Sequence, residues 1–270
     1  MSESTEQENL PQMSFWDHIY ALRSVLLRIA LIVSVLSVGF FIFMPNIFNN
    51  IILWPCREDF CIYKALDIIP YFSSESAQES GMIIDLINIQ LSSQIMIHIT
   101  TSFWLGLIFS FPIIVYVLWG FIKPALYKHE RTGVRKAFFF GNIMFYLGIA
   151  VGYFIVFPFS LRFLASYQVS ELINNQFSIN SYMDNFLVLI FLMGIVFELP
   201  LIAWLLSKAE VLTKSFFNKY RRHAIVVLMI IAAIITPADP FSMIILFIPL
   251  YALFETSSFF VKSDSKEPEE

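Results

Sequence analysis

NFLVLIFLMGIVFELPLIAWLLS, residues Asn185 to Ser207, carries a single ionisable side chain, Glu198, with Pro200 two residues behind it. A run this long and this apolar reads as a membrane span. At about 1.5 Å rise per residue, Glu198 would lie about 15 Å from Lys208 and about 21 Å from Asp184. That is inside a hydrocarbon core about 30 Å thick, toward the Lys208 side. An acid at such depth costs about 2.5 to 3.5 kcal/mol on insertion scales, so it is expected to face a partner or a wet cavity.

The composition agrees with a membrane protein. Apolar residues make up 58% of the chain and charged residues 14%, against about a quarter in soluble domains. The mean hydropathy is +0.72. Thirty phenylalanines, together with the many isoleucines and leucines, exceed what one water-soluble core can hide. The net charge of −4 is segregated along the chain, so its sign implies no nucleic-acid partner. Residues 1–13 are acidic and polar and read as a flexible tail without the basic start of a secretory signal.

Six apolar segments follow, at about 26–48, 94–122, 137–161, 185–207, 224–235 and 241–254. They predict an all-α polytopic protein with a membrane domain over 14–260 and a tail over 261–270. With the N-terminus inside, 14 of the 17 Lys and Arg fall on the cytoplasmic side, leaving Arg57, Lys64 and Arg162 outside. The positive-inside rule then predicts six spans in the cytoplasmic membrane with both termini in the cytoplasm. Cys56 and Cys61 fall in the first outer loop, where an oxidising compartment permits a disulfide. Spacing alone leaves both the bridge and two free thiols open.

Enzymatic motifs are missing. No glycine is followed by lysine, so there is no phosphate-binding loop. His18, His98, His129 and His223 are dispersed without metal-ligand spacing, and neither GxSxG nor HExxH occurs. No catalytic residue, cofactor or metal is expected. Energy, where used, would come from a proton gradient or a partner protein.

Five segments in order resemble the TatC family, the multispan receptor subunit of the twin-arginine protein translocase. FIKPALYKHER (Phe121 to Arg131) resembles the first cytoplasmic loop of that family, and FELP (Phe197 to Pro200) its Phe-Glu-x-Pro motif. TPADPFS (Thr236 to Ser242) resembles its Thr-Pro-Pro-Asp turn, with Ala238 replacing a proline. IPLYALFE (Ile248 to Glu255) resembles the last span, and HIYALR (His18 to Arg23) the lead-in to the first. The resemblance implies recognition of twin-arginine signal peptides on folded cargo, single-span TatA- or TatB-like partners, and a homo-oligomer within a receptor complex.

It also implies a signal-peptide site of Glu130, Asp17, Arg23, His18, Phe121 and Pro124. Paired arginines need carboxylates, with which they make planar bidentate bonds. Glu130 supplies one, although Lys128, His129 and Arg131 partly cancel its field; a solvated loop acid is the bland alternative. The second acid of the family is missing, because Ala21 stands at its position. Asp17 lies one turn earlier on the same helical face and is a candidate replacement; a helix N-terminal acid favoured by the dipole is the other reading. Arg23 either orients this site or snorkels to the interface, and Pro112 predicts a kink in the second span.

For Glu198 and Pro200 three roles stay open. The carboxylate docks a polar residue of a partner helix in a groove, serves as an ion site in a proton-coupled small-molecule transporter, or pairs with a neighbouring span. The transporter class would show an internal repeat or broken helices in matching positions of two halves, and the sequence reads as neither; nor does a ladder of Asp, Glu or His continue across the membrane.

The last two segments are short, about 18 Å and about 21 Å as helices. Either the turn at Pro237 and Asp239 sits below the outer surface or the bilayer thins around it. A spin label at Ala238 is expected to report partial burial in lipid; a fully extramembrane position would refute that expectation.

Overall fold

A computed structural model describes residues 15–57, 59–63, 84, 86–123, 131–167, 169–170, 175–208, 212–236 and 240–261. These residues are almost entirely helical. The helices are α1 (Phe15–Ile47), α2 (Ser93–Ile122), α3 (Arg131–Val151), α4 (Phe157–Ser166), α5 (Ile179–Val196), α6 (Leu199–Lys208), α7 (Lys214–Ile235) and α8 (Pro240–Phe260). A π turn over Gly152–Val156 joins α3 to α4, and another over Phe48–Ile52 extends α1 toward a 3-10 turn at Trp54–Cys56. Two short strands, β1 (Leu86–Ile87) and β2 (Phe177–Ser178), pair in parallel with Leu86 opposite Phe177. They tie the segments that precede α2 and α5.

Five stretches are long and apolar enough to cross a membrane: Ile19–Cys56, Ser93–Phe121, Gly133–Ser166, Ile179–Lys208 and Pro240–Phe259. α7 is not among them, because Lys214, Lys219, Arg221 and Arg222 crowd its first half. The final hairpin has short apolar stretches, but its helices are longer than those stretches. α7 and α8 have 22 and 21 residues, each roughly 32 Å at the α-helical rise. The turn at Pro237 and Asp239 lies outside the described residues.

The run holding Glu198 lies within the single apolar stretch Ile179–Lys208, and the backbone breaks at Phe197–Glu198 into α5 and α6. Pro200 has no N–H to continue the ladder, and it sits at the second position of α6, where a missing donor costs nothing.

The helices run antiparallel in neighbouring pairs. Ser37 of α1 meets Gly106 of α2, and Phe41 meets His98 further along. Phe111 of α2 stacks on Phe145 of α3 at 3.7 Å between centroids, while Trp119 meets Phe138. Arg221 of α7 bridges to Glu255 of α8 at 2.6 Å. The bundle therefore has a basic end, carrying Lys208 and the start of α7, and a loop end, carrying Phe48–Tyr63 and the two strands. Val156, Leu189, Met193, Leu246 and Leu250 form the centre, each at most 2% exposed. The outer surface is apolar, with Leu27, Leu31, Val35, Val38 and Ile42 exposed along α1. Water outside would penalise that surface; lipid does not.

Two prolines inside helices, Pro45 and Pro112, set a backbone problem, and a histidine and a tyrosine answer them. Proline lacks the N–H that would bond the carbonyl four residues earlier, and lipid offers no water in exchange. Pro45 frees Phe41, whose oxygen lies 2.9 Å from His98 Nε2. A carbonyl only accepts, so Nε2 carries the proton. Pro55, at the start of the 3-10 turn, interrupts no α-helical ladder, but Ile51 O in the preceding π turn accepts from the Tyr153 hydroxyl at 2.7 Å. Pro112 frees Ile108, which accepts from the Tyr146 hydroxyl at 3.3 Å. Each bond ties the proline-bearing helix to a neighbour. His98→Leu is expected to cost about 1 kcal/mol of stability in the native background. In a Pro45→Ala background, where the carbonyl regains a helical donor, that cost should vanish; a double-mutant cycle in detergent that shows no coupling would refute the pairing.

Candidate functional site

Glu198 sits in the break itself. Its N–H bonds Ile195 O at 3.0 Å, a tightened i−3 contact, and its carbonyl accepts from Ile202 N at 2.9 Å to open α6. The positive end of α6 lies next to the carboxylate and partly offsets its desolvation. The side chain is half-buried. It rests on Gly141 of α3, where a Cβ would lie 2.9 Å from Glu198 Oε2 and 2.5 Å from Leu201 Cδ2. A Cβ there would displace the ends of the Glu198 and Leu201 side chains. Oε1 is buried with no hydrogen-bond partner among the described residues.

The seat continues along the interface. Gly148 faces Met193 O and Phe197, Gly152 faces Met193 and Ile190, and Gly194 faces Phe145 and Ile149. At Gly148 the opposing atom is a backbone oxygen 2.5 Å from where a Cβ would stand, so no side-chain rotation could relieve it. α3 and the α5–α6 pair thus approach backbone to backbone, which holds the break at a defined depth. At the basic end of the same interface, Lys208 Nζ lies 5.5 Å from the Trp204 ring centroid and beside Gly133.

The residues expected to read a signal peptide converge only in part. Asp17 and His18 lie in the first turn of α1, Arg23 is exposed just beyond, and Phe121 is half-buried in the last turn of α2. Antiparallel packing of α1 on α2 brings these turns to the basic end. Glu130 and Pro124 lie outside the described residues. Glu198 belongs to a separate location, ten residues before Lys208 along the broken span.

The loop end is a rigid cap. Phe60 is fully buried among Trp54, Tyr63, Tyr153 and Phe154. Tyr182 donates to Ile52 O at 2.5 Å, and Tyr63 to Pro55 O. Burial holds the Tyr63 phenol well above the ordinary tyrosine range, so it remains a neutral donor. Arg162 is only 7% exposed, with Nη1 3.4 Å from Tyr63 O and its guanidinium 5.4 Å from the Tyr63 ring centroid. Cys56 is buried and Cys61 exposed, both as free thiols, so the bridge that spacing left open is not made here.

A family model described as Sec-independent protein translocase protein (TatC) matches residues 17–249. The chain belongs to the TatC family. It is 36% identical to the Sec-independent protein translocase protein TatC of Blattabacterium sp. subsp. Periplaneta americana (strain BPLAN), over 93% of this chain and 96% of that one. It is 34% identical to the TatC of Escherichia coli (strain K12), over 74% of this chain and 77% of that one. A crystal structure of the twin arginine translocase receptor TatC in DDM superposes with a TM-score of 0.72 at 30% identity, covering 91% of this chain and 99% of that chain. A second crystal structure of the receptor gives 0.66 at 28% identity, covering 90% and 97%.

Sequence reading of this TatC-family chain found Glu198 but not its seat. Gly141 gives no signal of its own, since nothing local distinguishes a glycine pressed by another helix. Arg162 reads as one of three outer-side charges, yet it is buried under an aromatic cap. Among the described residues Glu198 Oε1 bonds to nothing, so the carboxylate does not hold the bundle together through that oxygen. Glu198→Met is accordingly expected to leave the stability of the purified chain unchanged or to raise it by about 1–3 kcal/mol, read as an unchanged or higher thermal midpoint. A clear drop in that midpoint would restore the pairing role.

Proposed function

We propose that this chain is the signal-peptide receptor and core subunit of a twin-arginine translocase. It acts in the cytoplasmic membrane with both termini in the cytoplasm, moving folded proteins with the proton gradient as the energy source. The observation that carries this reading is the family match over residues 17–249, which takes in the first helix, the Phe121–Arg131 segment and the broken span together.

Two further features support it. The starts of α1 and α3 and the end of α2 share the basic end, so residues 17–23, 121–123 and 131 lie at one end of the bundle. There Glu130 and Asp17 take the paired arginines by charge-assisted bonds, while His18, Arg23, Phe121 and Pro124 shape the surface. Deeper in the same molecule, Glu198 keeps an unpartnered acceptor in an apolar wall. A polar side chain on a single-span TatA- or TatB-like helix would gain a hydrogen bond there that lipid cannot supply. Several copies of the chain and those partners together make the working complex, without a cofactor.

Site-specific crosslinking tests the recognition step. Photoreactive groups at positions 17 and 130 should capture a signal peptide with paired arginines and lose most of that capture when the pair is lysines. Asp17→Asn should weaken capture at position 130. Capture indifferent to the lysine swap would overturn the receptor reading, and Asp17→Asn without effect would remove Asp17 from the site.

A further inference from the structure

One face of α7 carries exposed cations that no acid answers among the described residues. Lys219 and Arg222 stand one turn apart on it. Neither makes an ion pair among the described residues, and α7 holds no Asp or Glu from Lys214 to Ile235. Arg221 points elsewhere, into its pair with Glu255 of α8. His223 is exposed beside them and brings no negative charge.

The same face continues into an apolar stripe. Val226 and Ile230 recur at helical spacing after Lys219 and are 57% and 54% exposed. Phe217, Leu228 and Ala232 occupy the opposite face and are buried. Beside the cations, Phe216 and Tyr220 are exposed with ring centroids 4.6 Å apart, and Lys219 Nζ lies 5.7 Å from the Tyr220 centroid. Exposed aromatic rings between a charged band and an apolar stripe mark a helix at the membrane interface.

Depth fixes what can answer the charge. Val226 lies one turn past Arg222, about 6 Å along the axis. An exposed valine belongs in hydrocarbon, and each headgroup layer is about 5–7 Å thick. Arg222 therefore stands in the headgroup layer at the basic end, and Lys219 reaches the same layer with its flexible stem. The apolar part of α7, residues 224–235, rises only about 18 Å, so the helix has no slack to lift these cations into bulk water. The anion at hand in that layer is lipid phosphate.

We propose that Lys219 and Arg222 hold the phosphate of an anionic phospholipid in the leaflet at the basic end, with its acyl chains along Val226 and Ile230. Arg222 offers the planar fork that phosphate oxygens accept, and Lys219 adds a point charge. In a zwitterionic lipid the ammonium sits a few bonds from the phosphate and meets the same positive face. An anionic lipid lacks that ammonium, and anionic leaflets attract basic segments of this kind.

Native mass spectrometry of the full-length chain in neutral detergent tests this, with equimolar phosphatidylglycerol and phosphatidylcholine of identical acyl chains. Phosphatidylglycerol is expected to be retained several-fold over phosphatidylcholine. Lys219→Gln with Arg222→Gln should remove most of that preference. Arg135→Gln with Lys136→Gln, at exposed cations of α3 near the same end, should keep it. Equal retention of the two lipids by the unaltered chain, or a preference that survives Lys219→Gln with Arg222→Gln, overturns the proposal. Equal loss in both double variants also overturns it, since diffuse charge rather than a site would then be at work. A preference abolished by millimolar inorganic phosphate would make this a free-anion site instead. A preference that emerges only on removal of residues 262–270, which carry Asp264, Glu267, Glu269 and Glu270, would assign the face to that segment and not to lipid. Should the α7 double variant fail to fold, Lys219→Gln and Arg222→Gln singly decide, each expected to lower the preference in part.

Discussion

A carbonyl oxygen stripped of its helical donor inside hydrocarbon has no water to turn to, and this constraint organises the molecule. Pro45 and Pro112 each release one such oxygen, and His98 and Tyr146 reach across from another helix to take it, while Tyr153 takes Ile51 O in the π turn that ends the first span. The bends that proline introduces are thereby converted into interhelical ties. α1 is fastened to α2, α2 to α3, and the end of the first span to the π turn after α3. A bundle tied in this way keeps the bends at Pro45 and Pro112 without leaving their freed oxygens open in lipid.

The second constraint is distance. Glycines at positions 141, 148, 152 and 194 let α3 and the α5–α6 pair approach until backbone meets side chain directly. Dispersion and close contact, rather than hydrophobic exclusion, drive association where the solvent is itself apolar. At Gly141 the Glu198 carboxylate and the Leu201 side chain lie directly against the backbone of α3. Glu198 is thus presented as an unsatisfied acceptor at a break in the backbone.

The two ends of the bundle differ in kind. The loop end is closed by aromatic rings, tyrosine hydroxyls on backbone oxygens, a parallel strand pair and a buried guanidinium. The basic end carries exposed Lys and Arg side chains and the Arg221–Glu255 pair, to which Tyr251 also donates at 2.7 Å. Rigidity on one side and accessible charge on the other suit a receptor that meets its peptide at one face.

By itself, the sequence determined the all-helical polytopic class, the approximate positions of the apolar segments and the exceptional character of Glu198. Those follow from local properties: run length, charge segregation and one acid among apolar neighbours. It also carried the family, because five motifs keep their order along the chain. The break at Phe197–Glu198, the seat on Gly141, the burial of Arg162 and the outward face of Lys219 and Arg222 on α7 were decided only by the tertiary structure. Each depends on which face of one helix meets which face of another, and residues distant in sequence set that geometry. Likewise, a proline announces that a carbonyl will be freed, but only packing decides that His98 stands ready 57 positions away to receive it.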